Sequence, residues 1–246
     1  IEAGIRRVVV GAIDPNPAHR GRGLALLRSK GIRITSGVLE SECIDLNPEF
    51  HHFMSTGRPW VIAKCGMSLD GRLTRPKGES RWITSPAART DAMKLRAAVD
   101  AILVGAGTIR DDDPALTVRG AGKRQTQPIR VVWAPRCAPA ANARVFNDAH
   151  SGSTLILPQK SLGAALRKLG ARGIRRVLIE GGGYTLGCAF GQHLAQEIVF
   201  YIAPLLAGGR VTALGRSAAA SSGSTLRRVQ FRKLGQCLRI SATVNR

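Results

Sequence analysis

Aromatic side chains are scarce in this chain, because Phe, Trp and Tyr together make up 4% of its 246 residues. Proteins that bind single-stranded nucleic acid need aromatic platforms among their basic residues, and proteins that read duplex DNA need a recognition helix. Neither pattern is present. The chain also lacks any apolar run of about 18 residues, the least that a membrane-spanning helix needs. We therefore expect a soluble protein with no membrane partner and no specific nucleic-acid partner.

Acidic residues are few as well: 16 Asp and Glu stand against 37 Lys and Arg, which gives a formal net charge of +21. The basic residues are mostly Arg and are spread along the whole chain rather than gathered in one block. The charge by itself therefore predicts only non-specific, salt-sensitive binding to polyanions.

The five cysteines are odd in number, widely spaced and without a C-x-x-C pair. This pattern argues against a disulfide framework or a zinc site and favours a reducing compartment, the cytoplasm, or a plastid if the protein is from a plant. Zinc-dependent deaminases need H-x-E and P-C-x-x-C elements, and the sequence has neither. We expect no metal and no deaminase activity by that chemistry. The first residues lack an initiator Met, so we expect the chain to begin inside a longer protein.

The chain is long enough, and with 44% hydrophobic residues apolar enough, to form one large or two modest domains with a buried core. Short β-rich apolar runs alternate with helical patterns, which is typical of an α/β protein. The predicted strands are Arg6–Ala12, Ile32–Val38, Pro59–Gly66, Ala101–Gly105, Pro128–Trp133, Ser153–Leu157, Ile174–Glu180 and Glu197–Ala203. The predicted helices are Arg20–Ser29, Pro86–Val99, Ser161–Ala171 and Tyr184–Leu194.

Two features at particular positions refine this pattern. Ser85 is placed to cap a helix that begins at Pro86, where no backbone N–H is required. Near the end, Leu226–Leu234 and Cys237–Val244 are strand-like runs separated by two turn residues, which predicts an antiparallel hairpin. The sequence therefore predicts a mixed, mostly parallel sheet flanked by helices.

Two predicted strands end in glycines just before a helix, at Gly105-Ala106-Gly107-Thr108 and at Gly181-Gly182-Gly183. Such strand ends bind phosphates and dinucleotides, because backbone N–H groups approach the anion closely there. The first loop has only the G-x-G half of the dinucleotide fingerprint, so a Rossmann domain is not indicated. Either loop alone is more often a plain tight turn, and the presence of two such loops leaves both a tight turn and a ligand cradle open.

Charged residues stand close to these strand ends. Asp111, Asp112 and Asp113 follow the first loop, and Lys64 lies at the end of the strand from Pro59. The alternative interpretation is a solvated turn that Asp113 caps and an exposed Lys.

Several segments closely resemble the reductase domain of the RibD family of bifunctional riboflavin biosynthesis proteins. They are Lys64–Arg72, Gly78–Arg89, Leu95–Ala97, Asp100–Pro114, Leu116–Arg119 and Glu180–Gly182. The resemblance begins near Arg58 and continues to the end of the chain. Residues 1–57 look like the closing strand–helix–strand part of the family's deaminase domain, so we expect a domain at 1–57 and a reductase domain at 58–246.

The resemblance implies a dihydrofolate-reductase-like fold, NADPH as the cofactor and a homodimer. It also implies the reaction, which is reduction of 5-amino-6-(5-phosphoribosylamino)uracil to the ribitylamino phosphate, with hydride delivered to C1′ of the open sugar imine. This chemistry asks the protein to align two reactants, to hold a phosphate and to let a proton reach nitrogen.

The resemblance also assigns roles to single residues. The cofactor contacts are Gly66, Trp82, Thr108, Asp112, Gly182, Gly183, Tyr184, Thr185 and Leu186. The substrate contacts are Ser80, Arg96, Leu116, Arg119 and Glu180. An Arg fork suits a phosphate because it binds two of its oxygens. We expect Asp112, with Lys64, to position the reacting groups or to transfer the proton.

The sequence departs from the family at three places. Ala134-Pro135 stand where the family often has an acid and a small hydroxyl, the loop after Glu180 looks one residue longer, and Gly235-Gln236-Cys237 replaces a commonly acidic turn. With the charge of +21, these changes support an alternative, a catalytically degenerate homologue that serves as a basic scaffold or RNA-associated domain.

Overall fold

The chain divides into two compact units, Ile1–Pro59 and Trp60–Arg246, in a computed structural model. The structure describes residues 1–76, 78–80, 82–120, 126–215 and 223–245. Within these ranges no helix combines the length and the apolar character needed to cross a bilayer.

The first unit contains a parallel pair of short strands, in which Val8 aligns with Ile34. Its elements are β1 (Arg7–Val10), α1 (Arg22–Ser29), β2 (Arg33–Ser36), α2 (Glu40–Leu46) and α3 (Pro48–Thr56). Both predicted strands are present but shorter, and α2 was not predicted. The assignment of this unit to a deaminase domain stays a prediction.

The second unit is built on an eight-stranded sheet in the order β6-β5-β4-β7-β3-β8-β10-β9. The first six strands of that order are parallel, and β10 pairs antiparallel with both β8 and β9. This confirms the predicted mixed, mostly parallel sheet with a C-terminal hairpin. The strands are β3 (Trp60–Ser68), β4 (Ala101–Gly105), β5 (Ile129–Trp133), β6 (Thr154–Leu157), β7 (Arg176–Ile179), β8 (Glu197–Ala203), β9 (Leu226–Leu234) and β10 (Cys237–Val244).

The helices of this unit are α4 (Pro86–Ala97), α5 (Ala106–Asp112), α6 (Arg144–Asn147), α7 (Leu162–Gly170) and α8 (Gly183–Gly191), with a short 3₁₀ turn at Ser151–Ser153. The predicted start of α4 is confirmed, because the Ser85 hydroxyl accepts a hydrogen bond from the Ala88 N–H at 3.2 Å. The same hydroxyl donates to the carbonyl of Leu234 at 2.8 Å, which fastens α4 to the end of β9.

Two apolar cores cover the two faces of the sheet. One contains Leu103 and Ile179 and packs against α7 and α8, and the other contains Ile102 and Val104 and packs against α4. The central strands are thus buried on both faces, as their continuous apolar sequences indicate. The carboxyl ends of the six parallel strands lie along one edge of the sheet, perpendicular to the strands. The glycine loops and Glu180 follow these strand ends and therefore lie along that edge.

Candidate active site

The two predicted glycine loops lie side by side, because β4 and β7 are neighbours in the sheet and α5 and α8 begin directly after them. The Gly182 N–H donates to the Thr108 hydroxyl at 3.2 Å and so joins the loops. A Cβ on Gly105 or on Gly181 would come within 2.6 Å of the Thr185 side chain. These glycines are therefore needed for the first turn of α8 to approach the strand ends so closely.

A groove of three contiguous cavities follows this edge of the sheet. The first cavity, of about 430 Å³, lies between the starts of α5 and α8 and extends to Trp133 and Arg136. The central cavity, of about 330 Å³, shares Thr108 and Gly182 with the first. The third cavity, of about 410 Å³, shares Lys64, Trp82 and Glu180 with the central one. One continuous path thus runs from the glycine loops to the arginines of α4.

Glu180 lies between two cations at the junction of the central and third cavities. Arg96 binds both of its oxygens, through Nε at 2.7 Å and Nη2 at 3.0 Å, and Lys64 Nζ lies 3.5 Å from Oε2. Burial alone would raise the pKa of Glu180, but the charges and hydrogen bonds of Arg96 and Lys64 outweigh it and lower that pKa to about 2. The carboxylate is therefore ionised throughout the physiological range and can accept hydrogen bonds from a ligand.

The fork of Arg96 is largely occupied. Besides its two bonds to Glu180, its Nη1 donates to the Thr117 carbonyl at 2.9 Å. Arg96 lines the third cavity, but the edge that would grip a phosphate with two parallel bonds is held by Glu180. Arg119, in contrast, is exposed and lines the same cavity. The Gln127 side chain pairs with both backbone groups of Val118 and fixes the segment that carries Arg119.

The Lys64 side chain also lies over the ring of Tyr201, a residue of β8. Its Nζ lies 6.0 Å from the centroid of the Tyr201 ring, and the Tyr201 hydroxyl donates to Asp91 Oδ2 at 2.9 Å. Burial, followed by the hydrogen bond to Asp91, raises the pKa of Tyr201, so that ring stays neutral. Arg239 pairs with the same Asp91 oxygen at 3.3 Å. Lys64 is thus held between a neutral aromatic ring and an ionised carboxylate.

The structure brings the predicted central residues together. Gly66, Trp82, Thr108, Asp112 and Gly182 all line the central cavity, together with Lys64 and Glu180. Asp112 is the last residue of α5 and is exposed.

Gly183, Tyr184 and Thr185 line the first cavity. Thr185 is buried and packs against the glycines, and a Cβ on Gly183 would lie 2.1 Å from the Thr212 carbonyl oxygen, so these residues also serve packing. Tyr184 is 42% exposed and offers its ring to the cavity.

Three predicted contacts are placed differently from the others. The side chains of Leu116 and Leu186 are buried in the two apolar cores, which leaves only their backbone atoms for a ligand. The Leu186 N–H already donates to the Gly182 carbonyl. Ser80 lines a fourth cavity, of about 840 Å³, that shares Trp82, Thr84, Pro86 and Arg89 with the third one. The roles assigned to these three residues stay predictions.

The sequence interpretation missed Arg89, Arg136 and Tyr201. Arg89 stands seven residues before Arg96, two turns of the same helix, so their shared face was readable from spacing. Its guanidinium lies 4.7 Å from the centroid of the Trp82 ring. Arg136 follows the end of β5, where a ligand-facing side chain is common. No sequence signal links Tyr201 to Lys64.

The described part of the chain contains no group of three His, Cys, Asp or Glu side chains that could hold a metal ion. Each of the five cysteines carries a free thiol.

Comparison with known proteins identifies relatives. The RibD C-terminal domain family matches residues 59–239. RibD of Escherichia coli K12 is 38% identical over 239 residues, covering 85% of this chain and 65% of the relative. RibD of Bacillus amyloliquefaciens is 35% identical over 233 residues, covering 85% of this chain and 62% of the relative. The chain thus spans less than two thirds of the length of these relatives.

Solved structures agree with these matches. Acinetobacter baumannii RibD has a TM-score of 0.78 at 29% identity and covers 100% of this chain and 74% of its own. A Thermotoga maritima protein, named a diaminohydroxyphosphoribosylaminopyrimidine deaminase/5-amino-6-(5-phosphoribosylamino)uracil reductase, has a TM-score of 0.75 at 27% identity and covers 99% of this chain and 73% of its own. The predicted dihydrofolate-reductase-like fold class is thereby confirmed.

Proposed function

The chain belongs to the RibD C-terminal domain family, and on that premise we propose that its second unit reduces 5-amino-6-(5-phosphoribosylamino)uracil to the ribitylamino phosphate with NADPH, a step of riboflavin biosynthesis. One observation carries the proposal: a single groove joins a glycine-lined cavity at the start of α8 to an arginine-lined cavity on α4. The similar Thermotoga protein carries the name of this reductase.

The first cavity fits a dinucleotide. The first turn of α8 presents backbone N–H groups that no preceding helical carbonyl accepts, together with the positive end of the helix dipole, and both favour a pyrophosphate. Arg136 adds a cation at the same cavity, and no side chain projects from its wall at Gly105, Gly107 and Gly182. NADPH, when bound, supplies the hydride. A nucleotide lying along the groove would place its reactive ring in the central cavity, beside Trp82 and Gly66.

The third cavity suits the sugar phosphate. Arg89 and Arg119 line it, and a guanidinium binds phosphate oxygens in pairs. Arg96 orients Glu180, whose ionised oxygens can accept hydrogen bonds from sugar hydroxyls or from pyrimidine N–H groups. The phosphate and the pyrimidine are then held at separate points, which fixes C1′ in the central cavity.

Lys64 and Asp112 are the groups nearest to the reacting atoms in this arrangement. When hydride adds to C1′, the electron pair of the C=N bond moves to nitrogen, which must gain a proton. Lys64 Nζ carries protons into the central cavity and is held there by Glu180 at 3.5 Å. We assign Asp112 to holding the amide of the reactive ring or the water that relays this proton.

The test is oxidation of NADPH, followed by absorbance at 340 nm, with freshly prepared substrate. We expect the full chain to turn over and Asp112→Asn to lower kcat about 100-fold, because positioned proton transfer contributes factors of this size. Thermal unfolding should be unchanged in the variant, since Asp112 is exposed at a helix end. Equal kcat for both proteins would remove Asp112 from the mechanism.

The alternative, a degenerate homologue acting as a basic scaffold or RNA-associated domain, draws on the charge of +21 and on the three departures from the family. Ala134 and Pro135 stand at the wall of the first cavity without filling it, so this departure leaves the first cavity open. Failure to bind NADPH stoichiometrically at physiological salt would favour the alternative, because a degenerate scaffold should not bind the nucleotide.

We also propose that two copies associate through the C-terminal hairpin. Phe231 on β9 is 66% exposed, and it aligns with Ile240 on β10, which in turn aligns with Phe200 on β8. Aligned residues share a face, so these side chains form one apolar stripe across the hairpin, in which Phe231 is the exposed member. A cytoplasmic location stays a prediction.

A further inference from the structure

An exposed arginine stands at the end of the groove that lies away from the third cavity. The guanidinium carbon of Arg136 lies 4.8 Å from the centroid of the Tyr184 ring. That ring stacks on Trp133, with the centroids 5.8 Å apart and the planes at 14°. Trp133 is buried, and its Nε1 donates to the Gln159 carbonyl at 2.8 Å. A fixed aromatic platform therefore holds the charge of Arg136 at the first cavity.

This charge is not neutralised by the protein. Among the described residues Arg136 forms no ion pair with a carboxylate. Arg110 lines the same cavity, but Asp111 binds its guanidinium through two bonds, of 2.8 and 3.2 Å. Asp111 is the only carboxylate that lines the described part of this cavity. The Arg110–Asp111 pair is neutral overall, and Arg136 leaves the first cavity with a net positive charge.

NADPH and NADH differ only at the 2′ position of the adenosine ribose, where NADPH carries a phosphate and NADH a hydroxyl. Sites that prefer NADH place a carboxylate against the hydroxyl, and sites that prefer NADPH place an Arg against the phosphate. Here β5 is followed by Ala134, Pro135 and Arg136, so the strand end offers a cation and no acid.

The position along the groove is also suitable. The reactive ring of the nucleotide must reach the central cavity, where Lys64 and Glu180 lie, in order to meet the substrate. Its adenosine end then falls in the first cavity, beside the Tyr184 platform. We propose that Arg136, held on Tyr184, binds the 2′-phosphate and makes this chain select NADPH over NADH. The inference rests on the proposed function and names a selectivity residue for it.

The test measures binding without substrate. The full chain, Arg136→Gln and the control Arg172→Gln are titrated separately with NADPH and with NADH, and quenching of tryptophan fluorescence gives each Kd. Arg172 is an exposed residue after α7, so its replacement makes the same change in net charge outside the groove. We expect Arg136→Gln to raise the Kd for NADPH about 10- to 100-fold, as loss of charged hydrogen bonds does, and to leave the Kd for NADH unchanged.

The outcomes separate this inference from the proposed function. A full chain that binds neither nucleotide contradicts both. A full chain that prefers NADPH, with the same preference in Arg136→Gln, keeps the proposed function and overturns the role of Arg136. Equal loss of affinity for both nucleotides would also overturn it, because Arg136 would then only support the Tyr184 ring. Arg136→Glu gives a further check, since an acid at this position should reverse the preference toward NADH.

Discussion

Glu180 shows how one residue organises both the charge and the geometry of the groove. It separates Arg96 from Lys64, takes up the two-bonded edge of Arg96 and leaves Arg119 as the exposed cation facing the third cavity. Replacing it would leave two poorly hydrated cations next to each other, which is costly in a buried site. At neutral pH, replacing Glu180 would therefore change both the stability of the fold and the ligand site. The pH dependence of unfolding measures its contribution to stability alone.

The stability that Glu180 provides should depend on pH in a defined direction. Its pKa in the folded state is lowered from 4.5 to about 2, so its ionised form stabilises the fold fully above pH 4.5 and this contribution is lost as the pH falls toward 2. A pKa shift of this size corresponds to a contribution of roughly 3 kcal/mol to the free energy of unfolding at neutral pH.

Urea unfolding of the full chain and of Glu180→Gln, measured from neutral pH down to the acid limit of the folded state, checks this. We expect the variant to be less stable near neutrality and the difference to shrink steadily below pH 4.5. The difference between the two proteins isolates Glu180 from other titrating carboxylates, such as Asp70 and Asp148. A gap that stays constant with pH would contradict the role given to its ionisation.

The sequence predicted which single residues belong to the site but not which residues they contact. The motifs around Glu180 and Arg96, through the family resemblance, indicated that both residues contact substrate. Their mutual contact was not predictable, because 84 positions separate them and the contact depends on the packing of α4 against the sheet. Leu116 and Leu186 show the reverse case, in which a motif matches but the side chain turns into the core.

At the scale of elements, the closeness of α8 to the ends of β4 and β7 makes the glycine loops a single unit. A Cβ on Gly181 would lie 2.6 Å from the Thr185 Cβ, so no side-chain rotation can relieve the overlap. A Cβ on Gly107 would come no closer than 3.8 Å to another atom, although Gly107 lines the same cavity. The two glycines form a matched pair for a test.

We expect Gly181→Ala to lower the free energy of unfolding by about 1 to 3 kcal/mol, because α8 must move, and to weaken NADPH binding through the same movement. Gly107→Ala should keep the stability or raise it by up to about 1 kcal/mol, because Ala is favoured over Gly in a helix. Denaturant unfolding and nucleotide titration of both variants measure this. Equal stabilities would show that the approach of α8 does not require a glycine.

Elements were predictable where their patterns are strong. The hairpin strands have the predicted bounds, because apolar alternation and turn residues define both ends. A helix was expected after the first glycine loop, but the bounds of α5 were not predicted, because it has seven residues and Ile109 is its one buried side chain, too few for a helical period. The order of strands was not predictable, since β3 lies between β7 and β8, which follow it much later in the chain.

At the scale of the whole molecule, the exposed face of the C-terminal hairpin determines how two copies of the chain can associate. The β9 edge carries Arg227, Arg228, Arg232 and Lys233, and these cations would face one another if two such edges paired antiparallel. Face-to-face packing of the apolar surface around Phe231 avoids this repulsion. The proposed dimer therefore joins sheet faces rather than extending the sheet.

We expect light scattering to give the mass of two 26.2 kDa chains for the full chain and of one chain for Phe231→Lys. The control is Ile156→Lys, which places the same charge at an exposed apolar position, 47% accessible, on β6 at the opposite edge of the sheet. Dissociation by the control, with Phe231→Lys still dimeric, would move the interface to the other edge.

Ser85 caps α4 and, through its hydroxyl and its N–H, also holds the Leu234 carbonyl and the Cys237 sulfur. The helix that bears Arg89 and Arg96 and the bend between β9 and β10 are thereby linked by the same residue. In the proposed dimer, a shift of the hairpin would therefore reach the arginines of α4 directly, whereas α5 and α8 have no such link to the hairpin among the described contacts. If the proposed dimer dissociates on dilution, we expect the affinity for the proposed sugar-phosphate substrate to change before the affinity for NADPH does.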